Sequence, residues 1–190
     1  VHEMTVQAKA IIAAYYGKGP RRSYWNGCSS GGKQGLVEAQ RFPADYDGIA
    51  AGAPANYWTH LLSWFMYVGK AALAEKAASI PAAKYPAIHR AALQACDRED
   101  GIKDGVIDNP AACRFDPAVL LCRGEETSSC LTPAQVETAK TIYAPMNDPQ
   151  TGRALFPGLA VGSEMQWAAP IGGPNPFQIA YDHFQYVVYE

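Results

Sequence analysis

Residues 23–35 read Ser23-Tyr24-Trp25-Asn26-Gly27-Cys28-Ser29-Ser30-Gly31-Gly32-Lys33-Gln34-Gly35, and their character changes twice within that span. Residues 23–26 are aromatic and β-prone, which predicts a short strand. Residues 27–32 predict a sharp glycine-rich turn. Residues 33–41 return to helical composition and stop before Pro43. Downstream, residues 48–53 (GIAAGA) are small and apolar, as in a buried parallel strand. Upstream, residues 4–16 (MTVQAKAIIAAYY) predict an alanine-rich helix with Gly17 as its stop. Helix, strand, tight turn, helix, strand is the α/β pattern.

Past Pro54 the composition shifts, which predicts a boundary near residue 57. Residues 61–76 and 86–96 read as helices. Leu131-Thr132-Pro133-Ala134-Gln135-Val136 is a specified helix start: Thr132 as N-cap, Pro133 at N1, Gln135 closing a capping box, and Leu131 with Val136 as a hydrophobic staple. No β-alternation shows between residues 60 and 145, and from Pro145 onward proline and glycine punctuate the chain. Residues 1–56 are therefore expected to form an α/β piece and residues 57–190 a mainly helical one.

With 190 residues, 48% of them hydrophobic, the chain can bury a sizeable core. Sixteen Lys and Arg against eighteen Asp and Glu give a net charge of -2, with no basic run, which disfavours a nucleic-acid partner. Residues 61–68 are the longest apolar stretch and fall well short of the roughly 20 residues a bilayer span needs, so no membrane partner is expected. The polar start, Val1-His2-Glu3, lacks both a signal peptide and an initiator Met, and suggests an interior position in a longer protein.

Four of the five cysteines, Cys96, Cys113, Cys122 and Cys130, fall within 35 residues. Four cysteines allow three pairings. Cys96–Cys113 with Cys122–Cys130 closes the shortest loops and is favoured on loop-closure cost, over four buried free thiols. Disulfides imply an oxidising compartment, hence a secreted or periplasmic protein. Cys28 is left over and calls for a partner elsewhere.

Gly27-Cys28-Ser29-Ser30-Gly31 fits G-x-S-x-G. Between a strand and a helix, this pattern puts a nucleophilic serine, Ser29, on a strained bend whose neighbours must be small. The helix that follows aims its N-terminal amides at developing negative charge, and the Ser30 N–H forms half of an oxyanion hole. The competing reading is a glycine-rich loop with a solvated serine. Residues 27–33 also fit the G-x-x-x-x-G-K part of a phosphate-binding loop, but Gln34 stands where a Mg²⁺-binding Ser or Thr is required.

Residues 96–108 read CDREDGIKDGVID and bring Asp97, Asp100 and Asp104 into eight residues, with Gly101 and Gly105 between them. Hard oxygen donors on a glycine-bearing loop suit Ca²⁺, although the spacing is not that of an EF-hand. The bland alternative is a solvated turn. The cysteines lack zinc-finger spacing. A serine hydrolase also needs a base, normally His. His60, His89 and His183 read as surface or packing residues, and His2 precedes the serine, against the nucleophile–acid–histidine order. Trp58, Trp64 and Trp167 could line an aromatic pocket, with core packing as the default.

These residues resemble the tannase/feruloyl esterase family. The likeness is carried by residues 23–35, by Glu38-Ala39-Gln40-Arg41-Phe42-Pro43, by Asp45-Tyr46-Asp47-Gly48-Ile49-Ala50-Ala51-Gly52-Ala53-Pro54-Ala55, and by the cysteine-flanked acidic loop with the Cys122/Cys130 pair. The resemblance implies part of an α/β-hydrolase core followed by a disulfide-stapled lid insertion that carries calcium. It implies Ser29 as nucleophile and a disulfide from Cys28 to a cysteine directly after the catalytic His. It implies Ca²⁺ bound by the side chains of Asp97, Asp100 and Asp104 and the carbonyls of Ile102 and Val106. Family substrates are esters of aromatic acids: ferulate, gallate, chlorogenate and, in some members, terephthalate monoesters. No His-Cys dipeptide occurs in the chain, so the catalytic Asp and His are expected outside it and the 190 residues are expected to be inactive alone. The alternative is a non-catalytic, calcium-stabilised binding module.

Overall fold

The computed structural model describes residues 1–168 and 175–189. The chain divides into two compact units, Val1–Leu61 and Leu62–Glu190.

In the first unit, helix α1 (His2–Tyr16) ends at Gly17, whose φ of 72° is the left-handed cap a glycine accepts without strain. Strand β1 (Tyr24–Ser29) runs directly into α2 (Ser30–Arg41), and β2 (Gly48–Pro54) lies parallel to β1, from Tyr24 opposite Gly48 to Cys28 opposite Gly52. The turn expected over residues 27–32 is not a loop. Gly27, Cys28 and Ser29 finish the strand, Ser30 begins the helix, and the reversal is concentrated in Ser29. A parallel pair requires a crossover connection, here supplied by α2. Asp47 fastens the start of the pair: its carboxylate accepts from the Ser23 N–H at 2.7 Å and from Arg22 at 3.0 Å. The Ser23 amide, followed by the Arg22 guanidinium, holds the Asp47 carboxyl below its ordinary value.

The second unit is built on the continuation of α3 (Trp58–Leu73) with α4 (Tyr85–Cys96), α5 (Pro133–Tyr143), a short antiparallel pair β3 (Met146–Asn147) and β4 (Ala154–Phe156), and α6 (Gln178–His183). The two compact units divide between Leu61 and Leu62. The first turn of α3 still packs on the first unit, where the Lys33 ammonium lies 4.9 Å from the Trp58 ring centre. Trp64, Val68, Ile88, Leu131, Val136, Ile142 and Trp167 form the core of the second unit. Burial of each large apolar side chain contributes about 1.5–3 kcal/mol.

Trp64 and Trp167 are fully buried, so they are core residues and not pocket walls. Trp167 meets Tyr85 and Tyr143 edge-on at 6.0 and 5.1 Å. The capping box at Thr132 and Gln135 forms with both hydrogen bonds, and the staple residues Leu131 and Val136 join the core. Gln135 serves twice, since its side-chain oxygen also accepts from buried Lys84 at 2.7 Å. Glu164, fully buried, accepts from the Tyr143 hydroxyl, the Gly162 amide and His89. Burial and the neighbouring Glu164 carboxyl push the Tyr143 hydroxyl far above its ordinary range, which keeps it a donor. Both sequence-local disulfides, Cys96–Cys113 and Cys122–Cys130, are formed. Among the described residues, no helix is long and apolar enough to cross a membrane.

Candidate active site

Ser29 is the last residue of β1 and the N-cap of α2, with φ 56° and ψ -118°. A non-glycine residue held there costs on the order of 1–3 kcal/mol and persists only where its surroundings enforce it. Those surroundings are visible. The β1–β2 register slips between Cys28 and Ser29, Ser29 stands opposite Pro54, and the Ser29 carbonyl accepts from the Ala55 N–H at 2.9 Å. Ala53 and Tyr57 also have positive φ, at 36° and 49°. These three, the strained non-glycine residues among those described, therefore lie at or just past the C-terminal end of the strand pair, the end where open parallel sheets place their ligands.

The Ser29 side chain is exposed and caps no amide of α2. The first amides of an α-helix have no intrahelical acceptor, and the first turn of α2 carries no acidic residue to compete for them. Ser30 N–H is the first amide after the bend, so a negative oxygen forming beside Ser29 would meet a free donor and the positive end of the helix dipole.

The glycines permit this bend unequally. A Cβ on Gly27 would stand 2.8 Å from the carbonyl carbon and oxygen of Gly31, and one on Gly32 would stand 2.6 Å from the Gly52 carbonyl oxygen and 2.8 Å from Pro54 Cα. A Cβ on Gly31 would meet nothing within 4 Å. The motif's first glycine is thus crowded and its second is not, while Gly32, outside the five-residue pattern, makes the closer approach. Gly32→Ala is expected to force α2 away from β2 and lower stability by about 1–3 kcal/mol, whereas Gly31→Ala leaves the thermal midpoint nearly unchanged. Thermal denaturation of the two variants checks the order.

The histidines stand as follows. His60 stacks on Tyr57 at 4.0 Å, His89 binds Glu164 at 2.8 Å, and His183 packs edge-on to Phe184. His2 lies 2.7 Å from Asp45 and stacks on Phe42 at 3.9 Å. This His–Asp pair was not foreseen, and neither was its buried neighbour Glu38. The three residues are separated by 36 and 7 positions, a spacing that carries no motif. The His2 hydrogen bond holds the Asp45 carboxyl below its ordinary value. Cys28 is a free, exposed thiol.

The acidic loop lies in the second unit. Asp97 is buried and one of its oxygens accepts from the Gly105 N–H at 2.9 Å. Asp100 accepts from the Ile102 N–H at 2.8 Å, and Asp104 from the Val106 N–H at 3.0 Å. Gly101 and Gly105 take φ of 90° and 83°, and the Cys96–Cys113 bond ties the two ends of the segment. Each of these three hydrogen bonds engages one carboxylate oxygen and leaves its twin for another partner. The donor chemistry, all oxygen, fits a hard cation. The three carboxylates are not gathered within 4.8 Å of one another, a criterion that only His2, Glu38 and Asp45 meet among the described residues. Ile102 and Val106 are exposed.

Residues 1–181 match the family described as tannase and feruloyl esterase. The chain is 39% identical over its whole length to a probable feruloyl esterase B-2 of Aspergillus flavus, and 43% identical over 87% of its length to an uncharacterized esterase of Xanthomonas campestris pv. campestris. It spans 36% and 29% of those relatives. Among solved structures, an esterase from Aspergillus oryzae superposes on the whole chain with a TM-score of 0.90 at 33% identity, and the chain covers 38% of it. A tannin acyl hydrolase from Aspergillus niger superposes with a TM-score of 0.77 at 25% identity, over 98% of this chain and 37% of that one.

Proposed function

Since the chain belongs to the tannase and feruloyl esterase family, we propose that it is the nucleophile-bearing part of a serine esterase acting on carboxylic esters of aromatic acids, feruloyl or galloyl. The observation that carries this reading is the backbone of Ser29, strained at a strand-to-helix bend beside a helix N-terminus. Ser29 Oγ attacks the ester carbonyl carbon as a base removes its proton. The Ser30 N–H stabilises the oxyanion, and the alcohol leaves with a proton. Water then attacks the acyl-serine, releasing the aromatic acid and restoring the hydroxyl. The base and its orienting acid belong to chain outside these residues, and so does the cysteine that pairs with Cys28.

In this reading the first unit is part of an α/β-hydrolase core and the second is a lid. Exposed apolar side chains of the first unit, among them Val6, Ile11, Tyr15 and Tyr24, then face the rest of that core. Asp97, Asp100 and Asp104, with the carbonyls of Ile102 and Val106, hold a structural Ca²⁺ that closes the acidic loop. The two disulfides support a secreted or periplasmic location.

Full-length protein incubated with methyl ferulate and methyl gallate is expected to release free acid from at least one of them, and the isolated 190 residues are expected to release none. Binding of both esters by the full-length protein without turnover would favour the binding-module reading.

A further inference from the structure

The cluster at the start of α1 has a property that the ester chemistry does not use. His2, Glu38 and Asp45 each present one donor atom, and the three atoms lie within 4.8 Å of one another. Glu38 is 2% exposed and Asp45 9%. The Glu38 Oε2 atom is buried and has no hydrogen-bond partner among the described residues. A carboxylate oxygen buried without a donor is costly unless a cation or proton satisfies it. Two carboxyl groups so close add a second demand for positive charge. His2 and Lys9 both favour the Asp45 carboxylate, Lys9 through an ammonium that donates to the Asp45 backbone carbonyl, but neither bonds Glu38 Oε2.

We propose that His2, Glu38 and Asp45 form a binding site for a divalent transition-metal ion of the Zn²⁺ type, with a water molecule as fourth ligand. One imidazole nitrogen and two carboxylate oxygens are a borderline donor set, suited to Zn²⁺ and poorly suited to Ca²⁺, which takes six to eight oxygens. In a tetrahedral site with metal–ligand distances of about 2.0–2.2 Å, donors stand roughly 3.4 Å apart. The observed cluster needs only to open the 2.7 Å His2–Asp45 contact slightly and to draw Glu38 in. Phe42 stacks flat on the imidazole and fixes the ring orientation. The metal would join the first turn of α1 to α2 and to the loop before β2, bracing the helix that Ser29 begins. The site is independent of the ester reading.

The test uses full-length protein, stripped with chelator and then saturated with Ca²⁺ so that the acidic loop does not compete. Zn²⁺ is titrated by calorimetry, and Co²⁺ is added in parallel for its visible absorption. One Zn²⁺ per chain is expected, together with the intense Co²⁺ bands of a tetrahedral N/O site. Glu38→Gln is expected to weaken Zn²⁺ at least about tenfold, no less than loss of an outer-shell partner does, and to abolish the Co²⁺ bands. His2→Ala provides the same readout at a partly exposed side chain if the Glu38 variant fails to fold. Asp104→Asn is expected to leave Zn²⁺ binding unchanged. Absence of stoichiometric Zn²⁺ uptake, or uptake that both Glu38→Gln and His2→Ala leave intact, overturns the proposal and assigns the buried charge to a proton held between the two carboxyl groups.

Discussion

Replacing Ser29 with alanine in the full-length protein is expected to lower kcat for aromatic esters by about four to six orders of magnitude, while substrate still binds. The size of the loss follows from the role. A positioning or solvated serine would cost far less, because only the nucleophile's removal eliminates the covalent route. Stability is expected to move little, since the Ser29 side chain is exposed and caps nothing, and its backbone geometry survives in alanine at similar strain. Ser29→Gly separates the two properties further. Glycine accepts positive φ without the side-chain penalty, so this variant is equally inactive but folds at least as stably. Steady-state kinetics and thermal denaturation of the two variants together check this. A Ser29→Ala enzyme retaining a tenth of its activity would remove Ser29 from the chemistry.

The second large effect is expected at the acidic loop. Converting Cys96 and Cys113 to serine opens a link across 17 positions, and chain-entropy arguments put the loss at about 3 kcal/mol. For a unit of this size that is a fall of roughly 10 °C in thermal midpoint. Both cysteines are buried, so the serine hydroxyls add a desolvation cost. Calcium is expected to raise the midpoint of the wild type and to raise that of the double variant much less, because the carboxylates of Asp97, Asp100 and Asp104 would have to be gathered from a freer loop. Calorimetry with and without Ca²⁺ measures both terms. An unchanged midpoint on calcium addition to the wild type would leave the loop a solvated turn.

The β1–α2–β2 unit was legible because each element carries a local signal: aromatic residues at the first strand, small residues at the second, and a helical stretch between them. Its decisive detail was not. The sequence suggests a glycine-rich turn of several residues, whereas the reversal occurs in Ser29 alone. That follows from the Gly52 carbonyl and Pro54 packing against Gly32, contacts made across the strand pair. The local disulfides and the capping box were readable for a similar reason, since their partners lie close in sequence. The roles of Trp64 and Trp167 were ambiguous, because an aromatic residue carries no mark that separates a pocket wall from a core. The His2–Glu38–Asp45 cluster was invisible, because only the docking of α1 on the loop after α2, where His2 meets Phe42 and Asp45 and Thr5 meets Tyr46, brings the three together. The acidic loop shows the reverse: its oxygen donors suggest a cation site in the sequence, while its carboxylates stand less tightly gathered than those of the unforeseen cluster.

The central claim is that Ser29 is acylated. The most direct measurement is peptide mass mapping of the full-length protein after acid quench during turnover of an aromatic ester, with an active-site phosphonofluoridate as a stable substitute for the acyl group. The account predicts one added group per molecule, located on the peptide containing Ser29 and absent in Ser29→Ala. A label on any other residue, or hydrolysis that continues after the phosphonofluoridate has fully modified Ser29, would contradict it.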